Sequence, residues 1–163
     1  MSRLKLFSVI AILFLTFSAF TLDTALAGEK MKWHGTGITV KWEQMEVGDV
    51  EGHVVGIQKS KQIYINEATG EKSVSISIGL MDINPKMKKV FGHGYGVSFY
   101  QDGSKSFRSW KGHAVSKGQW KGEWTITGGT GRHEGTTGGG TWTQWALAPE
   151  GSYLEVEGDI NVP

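Results

Sequence analysis

A glycine-dense run late in the chain, residues 122–142, constrains the fold more than any other feature. The segment that enters it has residues recurring at every second position: Trp120, Gly122, Trp124 and Ile126. Side chains at that spacing lie on one face of a β-strand. The glycines that follow supply backbone freedom at a corner: Gly128, Gly129, Gly131 and Gly135. The run therefore predicts a strand, a structural corner and a second strand, in an all-β protein.

The first 27 residues have the pattern of a secretory signal peptide. Arg3 and Lys5 are basic, residues 6–22 are uncharged and mostly apolar, and residues 25–27 are the Ala-Leu-Ala that a signal peptidase recognises. We expect cleavage after this tripeptide and a periplasmic or secreted protein that starts at Gly28. The alternative is an uncleaved membrane anchor, since about 17 apolar residues are near the shortest length that spans a bilayer.

The remaining 136 residues, 28–163, have the size of a single domain. They contain no Cys, and a chain of this length can bury a core without disulfides. Without Arg3, Lys5 and Asp23, the 17 basic and 16 acidic residues of the chain become fifteen of each. This even balance gives no electrostatic reason to expect binding of nucleic acid or of an anionic membrane surface. We expect no nucleic-acid partner, and no stable membrane insertion after cleavage.

Short alternating runs separated by turn residues recur through the mature chain, a spacing typical of sandwiches and barrels. Hairpin turns are predicted at residues 66–70 and at Asp102-Gly103, and a surface loop at residues 82–89. Strands are predicted over residues 38–42, 50–58, 63–65, 74–80, 91–100, 104–116 and 154–162, with one more on each side of the glycine corner. About eight strands result, and closure into an antiparallel barrel removes the edges of an open sheet.

Two predicted strands divide large and small residues between their faces. In the first, four aliphatic residues alternate with serines and a glycine: Val74, Ile76, Ile78 and Leu80 against Ser73, Ser75, Ser77 and Gly79. In the second, Gly92, Gly94 and Gly96 lie opposite Phe91, His93, Tyr95, Val97 and Phe99. A bare glycine strip lets a sheet coil tightly, and it also lets a tryptophan or a ligand lie against the backbone. The alternation leaves open which face points into the barrel.

No sequence motif in the chain indicates a particular catalytic activity. The glycine run lacks the order of a dinucleotide-binding loop, because Glu134 stands where the third glycine is expected and no helix can follow. The five histidines lie nineteen to forty positions apart, so no two form the short chelating pair of a zinc site. A nucleophile elbow is missing as well. The sequence predicts no cofactor and no metal, and it leaves the catalytic residues unknown.

Residues 92–142 resemble the bacterial relatives of the allene oxide cyclase and dirigent barrels. The resemblance is carried by Gly92-His-Gly-Tyr-Gly96, Asp102-Gly-Ser104, Trp124-Thr-Ile-Thr-Gly-Gly-Thr-Gly-Arg-His-Glu-Gly135 and Gly138-x-Gly140-Thr-Trp142. His133 stands where the family usually has an aromatic residue. The resemblance implies a calycin-like, eight-stranded antiparallel barrel with an internal cavity, often trimeric. Plant members bind an apolar epoxide or a phenoxy radical and steer its cyclisation or coupling, and their catalytic acidic residues have no assigned counterparts here.

The seven Trp and four Tyr of the chain are its main source of binding surface. Large rings fill a barrel core, and they also line an apolar pocket at a barrel mouth. We therefore predict an exported barrel that binds a small apolar or aromatic molecule. The predicted ligand-binding residues are His93, Tyr95, Trp110 and Trp124.

Two alternative functions remain open at this point. A cyclase- or isomerase-type enzyme acting on an apolar substrate needs an ionisable group in the cavity, and strand position suggests His93, His113 and Arg108. An envelope interaction or carbohydrate-binding protein would instead use exposed tryptophans. Under any of the three, the family resemblance implies a homo-oligomer, most simply a trimer.

Overall fold

The computed structural model describes residues 28–87, 89–147 and 150–163. The predicted signal segment, residues 1–27, lies outside the described residues. Within the described ranges, no helix is long and apolar enough to cross a membrane. The regular structure there consists of β-strands and one turn of 3-10 helix, Gly131–His133.

Eight antiparallel strands form a closed barrel, in which each strand pairs with the next along the chain and the last pairs with the first. The strands are β1 (Glu29–Glu46), β2 (Val54–Asn66), β3 (Lys72–Asn84), β4 (Lys89–Phe99), β5 (Lys105–Ser116), β6 (Gln119–Thr130), β7 (Thr137–Ala146) and β8 (Gly151–Asn161). The prediction of an all-β, eight-stranded antiparallel barrel is confirmed.

Strand boundaries differ from the predicted ones at β1, at β2 and at the end of β3. The first strand, predicted over residues 38–42, runs from Glu29 to Glu46. Residues 50–58 and 63–65 were expected as two strands, but one strand, β2, holds both and begins only at Val54. A turn with a positive φ of 76° at Gly52 delays its start, and β3 pairs with every residue of the polar stretch between the two predicted strands. The predicted loop at residues 82–89 is shorter, because β3 continues to Asn84 before a turn at residues 85–87.

The inside of the barrel receives the small residues of β3 and β4 rather than the large ones. Ser73, Ser75 and Ser77 are buried, while Ile78 on the opposite face of β3 is 52% exposed. In β4 the glycines are buried, and the large residues face outwards. The Trp110 ring on β5 needs this space, since a Cβ at Gly79 of β3 would overlap it. Small residues point inwards because tryptophans from neighbouring strands lie over them.

The glycine corner joins β6 to β7 through the 3-10 turn. Gly131 and Gly135 have φ angles of 61° and 73°, in the left-handed region that favours glycine. Gly129 is required for a different reason, because a Cβ there would overlap the backbone of His133. The corner therefore holds His133 close against the last residues of β6.

We expect Gly131→Val to lower the free energy of unfolding by about 1–3 kcal/mol, because valine is strained at a positive φ. The new side chain would also crowd Ser104, whose Cβ lies 3.1 Å from the position of the added atom. Thr130→Ser, one residue earlier, should leave stability nearly unchanged. Thermal melts of both variants measure the difference, and an unchanged melting temperature for the valine variant would mean that the corner is a loose loop.

His53 ties together the opposite end of the barrel. Its Nδ1 lies 2.5 Å from Asp49 Oδ1, and its Nε2 lies 3.1 Å from Asp82 Oδ1 at the end of β3. The hydrogen bond to Asp49 raises the pKa of His53, although burial acts in the other direction. The same hydrogen bond lowers the pKa of Asp49. A protonated His53 therefore links the turn between β1 and β2 to β3.

We expect thermal stability to fall as the pH rises above about 6.5, the ordinary pKa of histidine. Because the pKa of His53 is raised in the folded barrel, its contribution is complete below the unfolded-state pKa and is lost as the pH rises through the folded-state value. His53→Gln should flatten this slope in a series of melts, whereas His113→Gln at an exposed position should preserve it. Equal slopes in the wild type and His53→Gln would contradict the assignment.

Candidate functional site

The interior of the barrel contains a cavity of about 250 Å³. Inward-facing side chains from all eight strands line it, so the fold itself positions the lining. Five of the seven tryptophans are among these residues: Trp33, Trp110, Trp120, Trp124 and Trp142. The cavity is therefore the place where most of the large rings of the chain meet.

Two edge-to-face pairs organise the aromatic part of the cavity. The ring centroids of Trp33 and Trp124 lie 6.0 Å apart, and those of Trp110 and Trp142 lie 6.1 Å apart. The indole N–H of Trp124 donates to the Glu157 carbonyl at 3.2 Å. Perpendicular pairs of this kind are favourable beyond the area they bury. The rings consequently form preorganised apolar walls.

The part of the cavity wall formed by β3 and β4 is polar. The side chain of Arg108, on the neighbouring strand β5, extends over it. Arg108 Nη1 donates to Ser98 Oγ and Nη2 donates to Ser75 Oγ, both at 2.6 Å. Ser75 is fully buried, and its hydroxyl donates to the Val97 carbonyl at 3.1 Å. The guanidinium thus has a defined orientation, set by two serines that are themselves anchored in the sheet.

Tyr64 on β2 lies next to this guanidinium, with 5.5 Å between Arg108 Cζ and the centre of the phenol ring. Burial raises the pKa of Tyr64, and the positive charge of Arg108 acts in the opposite direction. Since the shift is upward from 10.0, the phenol stays protonated at neutral pH. It offers the cavity a hydroxyl donor and an aromatic face beside the charge.

His133 closes the corner end of the cavity. Its ring stacks on Tyr100 with centroids 4.2 Å apart, and both residues line the cavity. Arg132 lies above Tyr100 and pairs with Glu71 and Asp102. Burial, and then the nearby charge of Arg132, lower the pKa of His133, so its imidazole is neutral at neutral pH. Its Nε2 is buried and has no hydrogen-bond partner among the described residues.

The structure separates the four predicted ligand-binding residues into two pairs. Trp110 and Trp124 line the cavity, although whether they bind a ligand stays a prediction. His93 and Tyr95 lie on the outer surface, where Tyr95 is 70% exposed. They face outwards because the alternation in β4 points its glycines into the barrel. Of the ionisable candidates for an enzyme, Arg108 lines the cavity and His113 is exposed.

Apart from Arg108, sequence reasoning missed the polar part of the cavity. Tyr64, Ser75, Ser98 and His133 drew no attention as site residues, because serines in a strand are typical of a solvated face. One signal was present, since the serines of β3 alternate with aliphatic residues just as the glycines of β4 alternate with aromatic ones. Two adjacent strands with small residues on one face indicate space on that side of the sheet.

No group of three or more His, Cys, Asp or Glu side chains within the described ranges is arranged to hold a metal ion. His53 lies close to two aspartates, but its two ring nitrogens are hydrogen-bonded to them, Nδ1 to Asp49 and Nε2 to Asp82. The chemistry that the cavity can offer comes from aromatic walls, serine and tyrosine hydroxyls, glutamine amides, one guanidinium and one neutral imidazole.

Comparison with known proteins bears on the fold alone. No protein-family model and no curated protein matches the chain. Among solved structures, the barrel is similar to a pterocarpan synthase dirigent protein, with a TM-score of 0.51 and 11% sequence identity over 88% of this chain and 95% of that one. A pyocyanin demethylase aligns with a TM-score of 0.43 and 13% identity over 82% and 100% of the two chains. This chain therefore has the dirigent-like barrel fold that its sequence resemblance implied.

Proposed function

We propose that the barrel binds a small aromatic or apolar molecule in its interior. The observation that carries the proposal is the cavity of about 250 Å³ with five tryptophans in its lining. An engineered cavity of about 150 Å³ in another protein binds benzene. The space in this barrel therefore suits a molecule of one or two rings, and burial of such a ligand against indole walls is favourable.

Binding is best tested with a variant that fills the cavity. Ser60 on β2 lines the cavity and Lys61 beside it is exposed, so Ser60→Phe and Lys61→Phe place the same ring on opposite sides of the wall. We expect the wild type and Lys61→Phe to bind 2-naphthamide, measured by calorimetry and by a change in tryptophan fluorescence, and Ser60→Phe to bind it at least about tenfold more weakly. Equal affinities for all three would place the binding elsewhere.

A cyclase- or isomerase-type enzyme is the second candidate, and His133 favours it. A neutral imidazole whose buried Nε2 has no partner among the described residues is suited to accept a proton from a bound molecule. The test is deuterium exchange at the α-carbon of 2-tetralone in heavy water. His133 would take the α-proton and return deuterium to the enolate, so His133→Phe should abolish exchange while 2-tetralone still binds. Equal exchange rates with and without His133 would exclude this role.

The third candidate, carbohydrate or envelope binding through exposed tryptophans, has less support. Only Trp42 and Trp145 lie outside the cavity lining, and Trp42 is 38% exposed. A platform for sugar rings usually presents open aromatic faces to solvent. The interior position of the other five rings favours a ligand inside the barrel.

We also propose export, with cleavage after residue 27 and a periplasmic or secreted mature protein. The proposal rests on the basic, apolar and Ala-Leu-Ala segments of the first 27 residues. Intact-mass measurement of the exported protein should give the mass of residues 28–163. A full-length chain in the membrane fraction would instead make anchoring part of the function.

A homo-oligomer is proposed as well, a trimer by the family resemblance. Support comes from the outer face of β2 and β3, where aliphatic side chains are about half exposed: Ile57, Ile63, Val74, Ile78 and Leu80. Large exposed apolar patches mark interaction surfaces. Light scattering after gel filtration should give a trimer that Ile78→Lys dissociates, while Thr125→Lys on the exposed face of β6 leaves it intact. A monomer at all concentrations would contradict the proposal.

A further inference from the structure

Arg108 is unusual among the lining residues in the described part of the chain, because it alone carries a permanent charge. No Asp or Glu lines the cavity within the described ranges, and no described carboxylate forms an ion pair with Arg108. A guanidinium inside a protein is normally matched by an anion. The cavity therefore contains a positive charge whose partner is not supplied by the described residues.

The guanidinium is held in place rather than free to move. Its hydrogen bonds to Ser98 and Ser75 use two of the five N–H groups that an arginine carries, and the Tyr64 phenol is a further hydrogen-bond partner. Gly96, its cross-strand partner on β4, leaves the space for it, since a Cβ there would lie 3.0 Å from Arg108 Cζ. An arginine oriented in this way presents its remaining N–H groups in a fixed geometry that suits an oxyanion.

A ligand that fills the cavity must also remove water from this charge. A purely apolar molecule would leave the remaining N–H groups of Arg108 without acceptors, and each unsatisfied buried donor is costly. An anionic oxygen on the ligand replaces the water with charge-assisted hydrogen bonds, which are about twice as strong as neutral ones. Apolar walls on one side and an unpaired cation on the other therefore favour an aromatic anion over its neutral analogue.

We propose that the cavity selects an aromatic molecule that carries an anionic oxygen, such as a carboxylate or a phenolate, and that Arg108 binds this oxygen. The inference rests on the proposed function, since it names the class of ligand for the same cavity. In this arrangement the ring of the ligand contacts the tryptophan walls, and the Tyr64 hydroxyl lies on the side of the charge.

The experiment compares two probes of equal shape, 2-naphthoate and 2-naphthamide, by calorimetry on the mature barrel at neutral pH. We expect the carboxylate to bind roughly ten- to a hundredfold more tightly than the amide, from the strength of charge-assisted hydrogen bonds. Arg108→Gln should remove this preference, so that the two probes bind the variant with affinities within about threefold of each other. Lys111→Gln is the matched control, because it removes the same charge from the outer face of the same strand, where Lys111 pairs with Glu123.

The outcomes separate the ligand class from the binding function. If the amide binds as tightly as the carboxylate, the cavity binds aromatic molecules but the inference about the anion is wrong. If neither probe binds, the proposed function falls and the inference with it. A preference for the carboxylate that persists in Arg108→Gln would show that another group binds the anion. The comparison of the two probes on the wild type stands even if Arg108→Gln fails to fold.

Discussion

Gly94→Ala is expected to lower the free energy of unfolding by about 3 kcal/mol or more, although it adds a single methyl group. The new Cβ would overlap the Ile78 carbonyl oxygen and lie 2.6 Å from the Gly79 Cα on the paired strand. Both atoms belong to the backbone of β3, so no change of rotamer can relieve the overlap. Relief requires β3 and β4 to move apart, which disturbs pairing in a closed sheet.

Gly70→Ala is the control for this substitution. Gly70 lies in the turn between β2 and β3, where nothing lies within 4 Å of an added Cβ and only its positive φ of 69° opposes a side chain. We expect its cost to be about 1 kcal/mol, and urea unfolding of both variants measures the difference. If the two alanines cost the same, β3 and β4 are able to separate slightly, and the glycine strip of β4 is not needed for close approach.

Trp124→Ala is expected to cost about 3–5 kcal/mol, the range for truncation of a buried aromatic ring. Trp124 is 7% exposed, stands edge-on to Trp33 and donates its indole N–H to the Glu157 carbonyl. A Cβ at Gly158 would lie 2.6 Å from its ring, so β8 has a place shaped for this side chain. The substitution removes the ring, leaves that place empty and leaves a carbonyl without its donor.

Trp42→Ala provides the comparison, since Trp42 is 38% exposed at the end of β1. Its truncation should cost less than half as much as that of Trp124, because much of its ring already contacts water. Chemical denaturation of both variants, with the slope of the transition compared to the wild type, gives the two values. A larger loss for Trp42 would mean that the end of the barrel, rather than the indole pairs inside it, carries the stability.

Much of the fold follows from local patterns that the sequence displays openly. Alternation at every second position predicts strands, and Asp102-Gly103 and residues 66–70 mark turns between antiparallel neighbours. What alternation cannot give is the direction of each face. In β3, hydrophobicity points to Val74 and Ile78 as the buried side, yet the serines are inside. Indole rings from other strands occupy the interior beside β3, so the direction of its faces is set by packing between strands.

The same reasoning explains which residues of the candidate site could be predicted from the sequence. Trp124 shares a face with Ile126 on β6, and both line the cavity, so a local pattern was enough. His93 and Tyr95 were predicted as ligand-binding residues while the direction of their strand face was open, and β4 turns its glycines inwards. Arg108 meets Ser75 across two strands and 33 positions of sequence. Such a contact depends on register and closure, which no single segment of the chain contains.

Closure of the barrel also has a consequence for how the chain folds. Seven of its eight strand pairs join neighbours in the sequence, so each can form as a hairpin with little loop to close. The pairing of β1 with β8 is different, because it brings Gly35 beside Leu154 and encloses nearly the whole domain. The entropic cost of closing the barrel therefore falls mainly on the β1–β8 pairing. We expect this pairing to form last during folding and to open first in local unfolding.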